Sequence, residues 1–304
     1  MKVLVTGASG LIGTALIASL NADGQEAIPL RRQRLEAATP VWDPEQGIIN
    51  LGGVSDITAV VHLAGENIAR GRWSRRQKTR ILNSRIRGTG LLADYCAGLD
   101  HKPDVILSAS AVGFYGDRGE ASLTETSSSG EGFLPEVCRQ WEGATATAAA
   151  AGIRVVNLRL GAVLSTSDGV LKQMLLPFRM GLGGTIGSGR QYMSWVHIDD
   201  VVAMIRFIID HDSLRGPVNL VAPQAVSNRR FIQTLGRLLR RPTLLRLPAW
   251  AVRLAFGEMG TALLLASTRA LPGKLCDSGY RFLHPELDAA LTQLLKPVST
   301  QSST

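Results

Sequence analysis

A glycine-rich turn after the first strand-like segment constrains the fold more than any other feature of the sequence. Lys2–Thr6 is a short, mostly apolar run, and Thr6–Gly13 (TGASGLIG) follows it with glycines at positions 7, 10 and 13. The apolar residues of Leu11–Asn21 then recur at helical spacing. In such a unit the first glycine permits the tight turn, the second lets the backbone approach a pyrophosphate, and the third lets the helix pack on the sheet. The sequence therefore predicts a dinucleotide-binding turn in an α/β fold.

Short apolar segments alternate with helical ones along the first two-thirds of the chain. The later strands are predicted at Ala27–Leu30, Ala59–Leu63, Val105–Ser108 and Arg154–Leu160. The helices are predicted at Leu11–Asn21, Ser74–Gly98, Leu134–Ala151 and Val201–Asp210, the last with Asp199 or Asp200 as its cap. This alternation predicts an α/β fold with a Rossmann-like, doubly wound parallel sheet.

The chain after Ser227 has a mainly helical pattern that is interrupted by prolines. We expect an NAD(P)-binding Rossmann domain over residues 1–225 and a smaller, mainly helical C-terminal lobe over residues 226–304. The cleft between them is the expected ligand site. The polar tail after Lys296 is expected to be disordered.

Composition excludes several classes of protein. The three cysteines lie far apart, so neither a disulfide framework nor a zinc knuckle is expected. The five histidines show no metal-ligand spacing, which predicts no metal site. No apolar run approaches the length of a membrane span, and the N-terminus lacks a signal-peptide pattern. We therefore expect a cytoplasmic protein without a membrane partner.

The net charge of +8 is concentrated in a few segments. Residues 70–87 hold eight cations and are expected to form a long, solvated helix, from which Arg70 or Arg72 could reach a cofactor or an anionic substrate. Few aromatic residues interleave with these cations, so no nucleic-acid partner is expected. The predicted partner is a small-molecule substrate, with an anionic one as an option, and the sequence is compatible with an oligomer.

The end of the second strand indicates which dinucleotide is bound. An acidic side chain there would bind the ribose 2′-hydroxyl of NAD. This chain has Arg31 and Arg32 instead, and guanidinium groups pair well with a 2′-phosphate. The hypothesis is that NADP(H) is the cofactor; the alternative is a solvated loop with two cations.

Three motifs resemble the short-chain dehydrogenase/reductase superfamily, extended type. Thr6–Gly13 is similar to its TGxxGxxG signature, and Val61–Ala64 (VHLA) to its motif beside the adenosine. Trp195–Val201 (WVHIDDV) resembles the (W/F)-V-H-V-x-D-(V/L) segment of extended members.

A closer resemblance, which covers nearly the whole chain, is to the YfcH-like NAD(P)-dependent epimerase family of the SDR39U1 type. The segments that carry it are Leu63–Ile68, Gly113–Gly116, Leu175–Phe178 with Gly181–Gly184, and Asn219–Gln224. The C-terminal region resembles that family's small domain, DUF1731. The resemblance implies NADP(H) as cofactor with Glu66 near it, although Glu66 could equally be a solvated loop carboxylate. The family's substrate is not established.

The candidate cofactor-binding residues come from three segments of the chain. They are Gly7, Ser9, Gly10, Leu11, Ile12 and Gly13 in the turn, Arg31 and Arg32 after the second strand, and Leu63, Ala64, Gly65 and Glu66.

The superfamily's reaction uses a serine or threonine that orients the substrate and a Tyr-x-x-x-Lys pair that moves a proton. The serine candidate is Ser110, with Ser108 second; either could instead be satisfied by turn backbone. The Tyr-x-x-x-Lys pair is absent, because Cys138 and Glu142 align with its two positions. Cys138 is expected to be a small buried residue rather than a catalytic thiol. Tyr115 is the remaining candidate, either to move a proton or to cover the pocket.

Two functions are compatible with these residues. The first is an NADP(H)-dependent oxidoreductase or epimerase of the extended type, acting on a carbonyl or alcohol carbon of an unknown small molecule. The second is a non-catalytic NADP(H)-binding regulator or sensor, which the missing Tyr-x-x-x-Lys pair favours.

Overall fold

A six-stranded parallel sheet forms the centre of the molecule in the computed structural model, which describes residues 1–32 and 40–296. The strands are β1 (Lys2–Thr6), β2 (Glu26–Leu30), β3 (Ala59–His62), β4 (Val105–Ala111), β5 (Arg154–Leu160) and β6 (Gly216–Leu220). Their order across the sheet is β6-β5-β4-β3-β1-β2, and each neighbouring pair is parallel. The chain reverses direction across the sheet between β1 and β3, which is the switch point where open α/β sheets bind ligands.

Ten α-helices surround or follow this sheet in the described residues. They are α1 (Leu11–Ala22), α2 (Arg75–Ala97), α3 (Phe133–Gly143), α4 (Ala146–Ala150), α5 (Gly169–Arg179), α6 (Ile198–Asp210), α7 (Asn228–Leu239), α8 (Ala249–Gly260), α9 (Gly273–Asp277) and α10 (Leu287–Leu295). The segment predicted as one helix over Leu134–Ala151 is therefore two helices. The Thr145 hydroxyl donates to the Glu142 carbonyl at 2.7 Å, and this bond ends α3.

The sheet is buried on both faces, which explains the continuous apolar runs of its strands. Side chains such as Val3, Val61 and Leu107 pack against α1 and α6, whereas Leu4 and Val60 face the α2 side. Each such side chain stabilises the fold by about 1.5–3 kcal/mol relative to an exposed one. The two layers make the doubly wound architecture that the alternation of strands and helices predicts.

Five pairs of short strands attach the remaining segments. They are Val41–Asp43 with Ile48–Asn50, Ser122–Leu123 with Arg269–Ala270, Ala162–Leu164 with Trp195–His197, Gly184–Ile186 with Leu245–Leu247, and Tyr192–Met193 with Val226–Ser227. Three of these pairs join residues before position 225 to residues after it. The division of the chain at residue 225 stays a prediction.

The cap of α6 differs from the prediction. His197 is the N-cap residue, and its ring Nδ1 accepts from the Asp199 amide at 3.0 Å. Asp199 and Asp200 lie inside the first turn of a helix that begins at Ile198. Asp200 is buried and accepts from the Tyr280 hydroxyl and from the amides of Leu283 and His284. Its carboxylate therefore anchors the C-terminal segment instead of capping the helix.

Helix α8 lies against the segment before α2. The Arg72 guanidinium donates to the Ala255 carbonyl at 2.9 Å and to the Leu254 carbonyl. Gly257 interrupts the helix with a φ of 61° and a ψ of −138°. Arg72 thus contacts α8, and its approach to a cofactor or an anionic substrate stays a prediction.

The structure contains no described helix that is both long and apolar enough to cross a bilayer. The tail after Lys296, which was expected to be disordered, lies outside the described residues, as does part of the segment after Arg32.

The buried Arg154 side chain yields a prediction about stability. Its guanidinium donates to the carbonyls of Ile208, Ile209, His211 and Leu214 and so caps the C-terminal end of α6. Arg154→Leu leaves these carbonyls without that donor, and we expect the free energy of unfolding to fall by about 2–4 kcal/mol. Urea unfolding measures this change.

Arg215→Leu is the matched control, because this neighbouring arginine is exposed. We expect it to change stability by less than about 0.5 kcal/mol. Equal effects of the two substitutions would contradict the capping role of Arg154.

Candidate functional site

The glycine turn after β1 is built by close backbone packing. Gly7 has a φ of +67°, and a Cβ at this position would lie 2.8 Å from the Leu63 carbonyl carbon. A Cβ on Gly13 would overlap the Gly7 carbonyl oxygen. The helix α1 begins at Leu11 after the N-cap Gly10, and no side chain caps it. The first-turn amides and the helix dipole are therefore positioned to bind an anion at this edge of the sheet.

Thr6 and His62 lie beneath this turn, at the ends of β1 and β3. The Thr6 hydroxyl accepts from the amides of Leu63 and Ala64 at 3.1 and 3.3 Å, so it donates its proton to His62 Nδ1 at 2.7 Å. Burial lowers the pKa of His62 to about 3, with Arg32 and Arg85 adding to the effect. A neutral imidazole thus holds the start of the Leu63–Glu66 segment.

A cleft of about 390 Å³ lies beside the end of β2 and carries several arginines. Its lining includes Arg32, Trp42, Arg80, Asn83 and Arg87. The Arg32 guanidinium lies 6.0 Å from the centre of the Trp42 ring. The side chains of Asp43, Glu45 and Glu66 line the cleft as well. The three guanidinium groups, the aromatic ring and the amide are groups that could bind a phosphate attached to an aromatic base. Arg31 is exposed and bridges to Val41 through its backbone.

Glu66 lies at the rim of the same cleft. Its carboxylate is 3.2 Å from the Arg80 guanidinium, and its amide donates to the Ser84 hydroxyl at 3.1 Å. Glu66 is therefore tied to α2, rather than being the freely solvated carboxylate that its chemistry alone allowed.

The basic run of residues 70–87 is only partly a solvated helix face, which corrects the prediction. Arg85 points inward, donates to the Glu66 and Ile81 carbonyls, and stacks on Trp141 at 4.7 Å. Burial lowers the pKa of Arg85 to about 10, so the guanidinium remains charged at neutral pH. A Cβ on Gly65 would lie 3.4 Å from this guanidinium, so the Leu63–Glu66 segment rests on a buried cation.

A buried polar network lies at the carboxyl ends of β4, β5 and β6. The Ser110 hydroxyl donates to Glu142 Oε1 at 2.7 Å, and Arg159 donates to both oxygens of Glu142 at 2.8 Å. Ser110 belongs to β4 itself, whereas the sequence analysis placed it after the strand. This arrangement couples one hydroxyl to a carboxylate that a guanidinium holds in place through two hydrogen bonds.

Tyr115 extends this network on its far side. Its hydroxyl donates to Asn219 Oδ1 at 2.7 Å and accepts from Arg159 at 3.0 Å. The side chain is fully buried, and burial raises the pKa of the phenol above its usual value. The Tyr115 hydroxyl thus contacts Arg159, the side chain that binds Glu142, and not an open surface. The role of Tyr115 in catalysis stays a prediction.

Cys138 and Glu142 share one face of α3 next to β4. The Cys138 thiol is 3.7 Å from the Ala111 carbonyl, and burial raises the pKa of the thiol to about 11. The thiol therefore stays protonated at neutral pH, in agreement with the interpretation of Cys138 as a buried structural residue. The positions that align with serine, tyrosine and lysine in the superfamily are brought together here as Ser110, Cys138 and Glu142.

Potential metal ligands cluster at the start of α6. Ligand atoms of His197, Asp199 and His284 lie within 4.8 Å of one another. Both ring nitrogens of His197 already have partners, the Asp199 amide and Gln293 Oε1 at 2.8 Å. The cluster therefore serves as a helix cap and as a contact with α10.

Family models match both parts of the chain. The model described as the NAD dependent epimerase/dehydratase family matches residues 3–221, and the model of the domain of unknown function DUF1731 matches residues 247–294. The chain belongs to the NAD dependent epimerase/dehydratase family. This membership confirms the resemblance that the sequence motifs carry.

Relatives in this epimerase family cover almost the entire chain. The epimerase family protein Mb2239 of Mycobacterium bovis is 42% identical over 95% of this chain and 96% of its own. The human epimerase family protein SDR39U1, solved with NADPH, superposes with a TM-score of 0.89 at 35% identity, over 97% of this chain and 99% of that one. A nucleoside-diphosphate sugar epimerase from Corynebacterium glutamicum has a TM-score of 0.78 at 36% identity, over 97% of this chain and 58% of that longer one.

Several residues of the candidate site were absent from the sequence prediction. Arg80, Arg85 and Arg87 belonged to a run that was assigned to solvent, and Arg159 lay unmarked in a predicted strand. A charged residue inside an apolar strand was a usable signal for Arg159, because burying a lone charge is costly unless it is paired. Arg85 lies four residues from both Ile81 and Thr89, which are buried residues of α2. This spacing places Arg85 on the same face of the helix, which was the usable signal for its inward position.

The neutral state of His62 predicts a pH dependence of stability. The folded-state pKa of about 3 is below the usual 6.5, so the unfolded chain binds a proton that the folded chain excludes. The contribution of neutral His62 to the free energy of unfolding is fully present above pH 6.5. It is lost as the pH falls toward 3, by at most about 1.4 kcal/mol per pH unit. We expect His62→Gln to flatten the stability curve in this window, as measured by urea unfolding at several pH values.

The exposed His101 supplies the control substitution, His101→Gln. It should leave the pH dependence between 6.5 and 4 unchanged. If His62→Gln also leaves it unchanged, the buried imidazole is not the proton-excluding group.

Proposed function

We propose that this protein is an NADP(H)-dependent oxidoreductase or epimerase that acts on a carbonyl or alcohol carbon of a small molecule. The observation that carries the proposal is the meeting of two features at one edge of the sheet. One is the anion-binding turn of Gly7–Gly13, and the other is the Ser110–Glu142–Arg159 network. The NADPH in the human relative and the family membership support the same conclusion.

The donor set of the turn fits a dinucleotide. Backbone amides of Leu11, Ile12 and Gly13, together with Gly7, Ser9 and Gly10, would hold the pyrophosphate at the N-terminus of α1. Leu63, Ala64 and Gly65 would pass beside the cofactor, because their backbone packs directly on the turn. The fit requires no movement of a side chain that caps the helix, since none is present there.

The arginine cleft fits the 2′-phosphate of NADP(H). Arg31 and Arg32 are the sequence candidates; Arg32 lines the cleft together with Arg80 and Arg87 from α2, and Arg31 precedes it in the chain. These side chains would discriminate NADPH from NADH, because a dianionic phosphate gains charge-assisted hydrogen bonds that a hydroxyl does not. Glu66 would remain paired with Arg80 and lie at the edge of the adenosine side.

Ser110 is the residue we propose to contact the reacting oxygen. When bound, the nicotinamide supplies or accepts the hydride. In the oxidative direction, Ser110 Oγ would take the proton of the substrate alcohol while passing its own proton to Glu142 Oε1. Arg159 would hold the carboxylate in place, and Tyr115 would act as a positioning residue through Arg159.

One observation favours the alternative of a non-catalytic NADP(H)-binding regulator. The side chains of Ser110 and Tyr115 are 2% and 0% exposed. A substrate would therefore reach Ser110 only after the residues that cover it had moved. In a regulator the same burial needs no such movement, and cofactor binding alone would be the signal.

Cofactor preference is the first test of the proposal. We expect the double substitution Arg31→Ala with Arg32→Ala to weaken NADPH binding by at least about tenfold and to leave NADH binding within about twofold. Titration with both nucleotides at matched salt measures this. Arg215→Ala with Arg281→Ala removes two exposed arginines elsewhere and should change neither affinity. An unchanged NADPH-to-NADH ratio in the first variant would reject the assignment of the 2′-phosphate.

Turnover separates the two functions. In a screen of carbonyl compounds with NADPH, we expect Ser110→Ala to lower kcat by about 100-fold without loss of NADPH affinity. Tyr115→Phe should affect chiefly stability and the pH profile, since the phenol contacts Arg159 and Asn219. Clear NADPH binding without turnover of any compound by the unaltered protein would favour the regulator.

A further inference from the structure

The C-terminal lobe exposes an unusual number of large apolar side chains. Leu244 is 90% exposed, Leu254 70% and Trp250 67%. Leu182, Leu245 and Leu247 are also exposed. Single exposed apolar residues are ordinary, but a contiguous group of this size marks an interaction surface.

These side chains lie on two short segments that pair with each other and on the helix that follows. The strand Leu245–Leu247 pairs in parallel with Gly184–Ile186 in a register that sets Gly184 opposite Leu245, so Leu182 and Leu244 both lie next to this pair of strands. The Gly187 amide donates to the Leu247 carbonyl at 2.8 Å, and α8 with Trp250 begins two residues later. We call this surface the apolar–basic face, defined by Leu182, Leu244, Leu247, Trp250 and Leu254 together with the arginines named next.

Helix α8 presents its apolar residues outward. Val252 is fully buried, so the side of the helix that carries Val252 faces the protein. Trp250 and Leu254 are each two positions from Val252, about 200° around the helix, and four positions from each other. They therefore project together from the outer side of α8 into solvent.

Exposed arginines lie on the same segments of the chain as these apolar side chains. Arg240, Arg241 and Arg253 are exposed, and Arg179 lies at the end of α5 near Leu182. Among residues 1–32 and 40–296, none of these four arginines lies within salt-bridge distance of an acidic side chain. Their charge is therefore available to an external anionic partner.

We propose that the apolar–basic face docks on an anionic phospholipid surface as a peripheral contact. Trp and Leu would insert at the level of the headgroups, while the arginine side chains would lie over the lipid phosphates. Each cation near such a surface adds about a factor of five in affinity. The expectation of no membrane partner came from the absence of a long apolar run, which concerns spanning segments and not a surface contact of this kind.

Charge decides between a lipid surface and a second copy of the chain. A symmetric dimer through this face would bring the same arginines of two copies together. In the described residues none of these arginines has an acidic side chain within salt-bridge distance, and Glu258 of α8 is paired with Lys78, so that contact would add repulsion at the rim of the apolar patch. An anionic bilayer instead offers negative charge across the whole face and an apolar layer beneath it.

Vesicle co-sedimentation tests the proposal with the full chain. The probes are vesicles of phosphatidylcholine alone and vesicles of phosphatidylcholine mixed with phosphatidylglycerol. We expect binding to the mixed vesicles, weak or undetectable binding to phosphatidylcholine, and weakening of the former as salt is raised.

Two variants separate the apolar and the electrostatic parts. Arg240→Gln with Arg241→Gln is expected to weaken binding by on the order of 30-fold. Trp250→Ala with Leu254→Ala is expected to weaken it by at least about tenfold. The matched controls are Lys102→Gln with Arg281→Gln and Ile48→Ala with Leu283→Ala, which remove exposed charges and exposed apolar groups elsewhere. Both controls should bind like the unaltered protein.

Three results of vesicle binding would overturn the proposal. They are an absence of binding to the mixed vesicles at low salt, equal binding to both vesicle types, and equal weakening by the control variants. A dimer in sedimentation velocity that Trp250→Ala with Leu254→Ala dissolves would also overturn it, in favour of a second copy. Far-ultraviolet circular dichroism and thermal unfolding establish that each variant is folded, so lost binding is not mistaken for lost structure.

Discussion

The close packing of three backbone segments at the carboxyl end of β1 is the constraint on which the rest of the molecule depends. Gly7 has no room for a side chain against Leu63, and Gly13 has none against Gly7. This contact fixes the direction of α1 and brings the segment after β3 to the same edge. Every candidate ligand contact on this side of the sheet follows from that placement, because the N-terminus of α1 and the Leu63–Glu66 segment then face one space.

Buried guanidinium groups organise the structure around this edge. Arg85 supports the Leu63–Glu66 segment, Arg159 holds Glu142, and Arg154 caps α6 at the opposite edge of the sheet. Burying a cation is costly unless its donors are satisfied, and each of these side chains bonds carbonyls or a carboxylate. Their geometry is thereby tied to specific partners, which limits the number of ways in which α2, α3 and α6 can pack.

The sheet and the glycine turn were predictable because they rest on local patterns. Apolar strand segments and the spacing of Gly7, Gly10 and Gly13 are visible in a few consecutive residues. The cap of α6 and the network around Glu142 were not predictable in this way. His197 competes with two aspartates for the cap, and only the fold shows that Asp200 is needed by Tyr280 and Leu283. Likewise, Arg85 differs from its exposed neighbours only through the helix face that α3 covers.

Glu142 stands where the superfamily has a lysine, so this site has a negative side chain that needs a positively charged partner. A lysine in this position would itself supply a cation, whereas Glu142 needs one, and Arg159 from β5 provides it through two hydrogen bonds. The carboxylate then accepts from Ser110, so the hydroxyl is oriented by an anion instead of being paired with a phenol. A serine that donates to a carboxylate is suited to accept a proton from an alcohol. The same geometry leaves Cys138 without a base to ionise it, because its close charged neighbour Glu142 and its burial both raise the pKa of the thiol. Under the proposed function, the acid–base chemistry at this edge is therefore assigned to the Ser110–Glu142 pair and not to the residue that aligns with the superfamily's tyrosine.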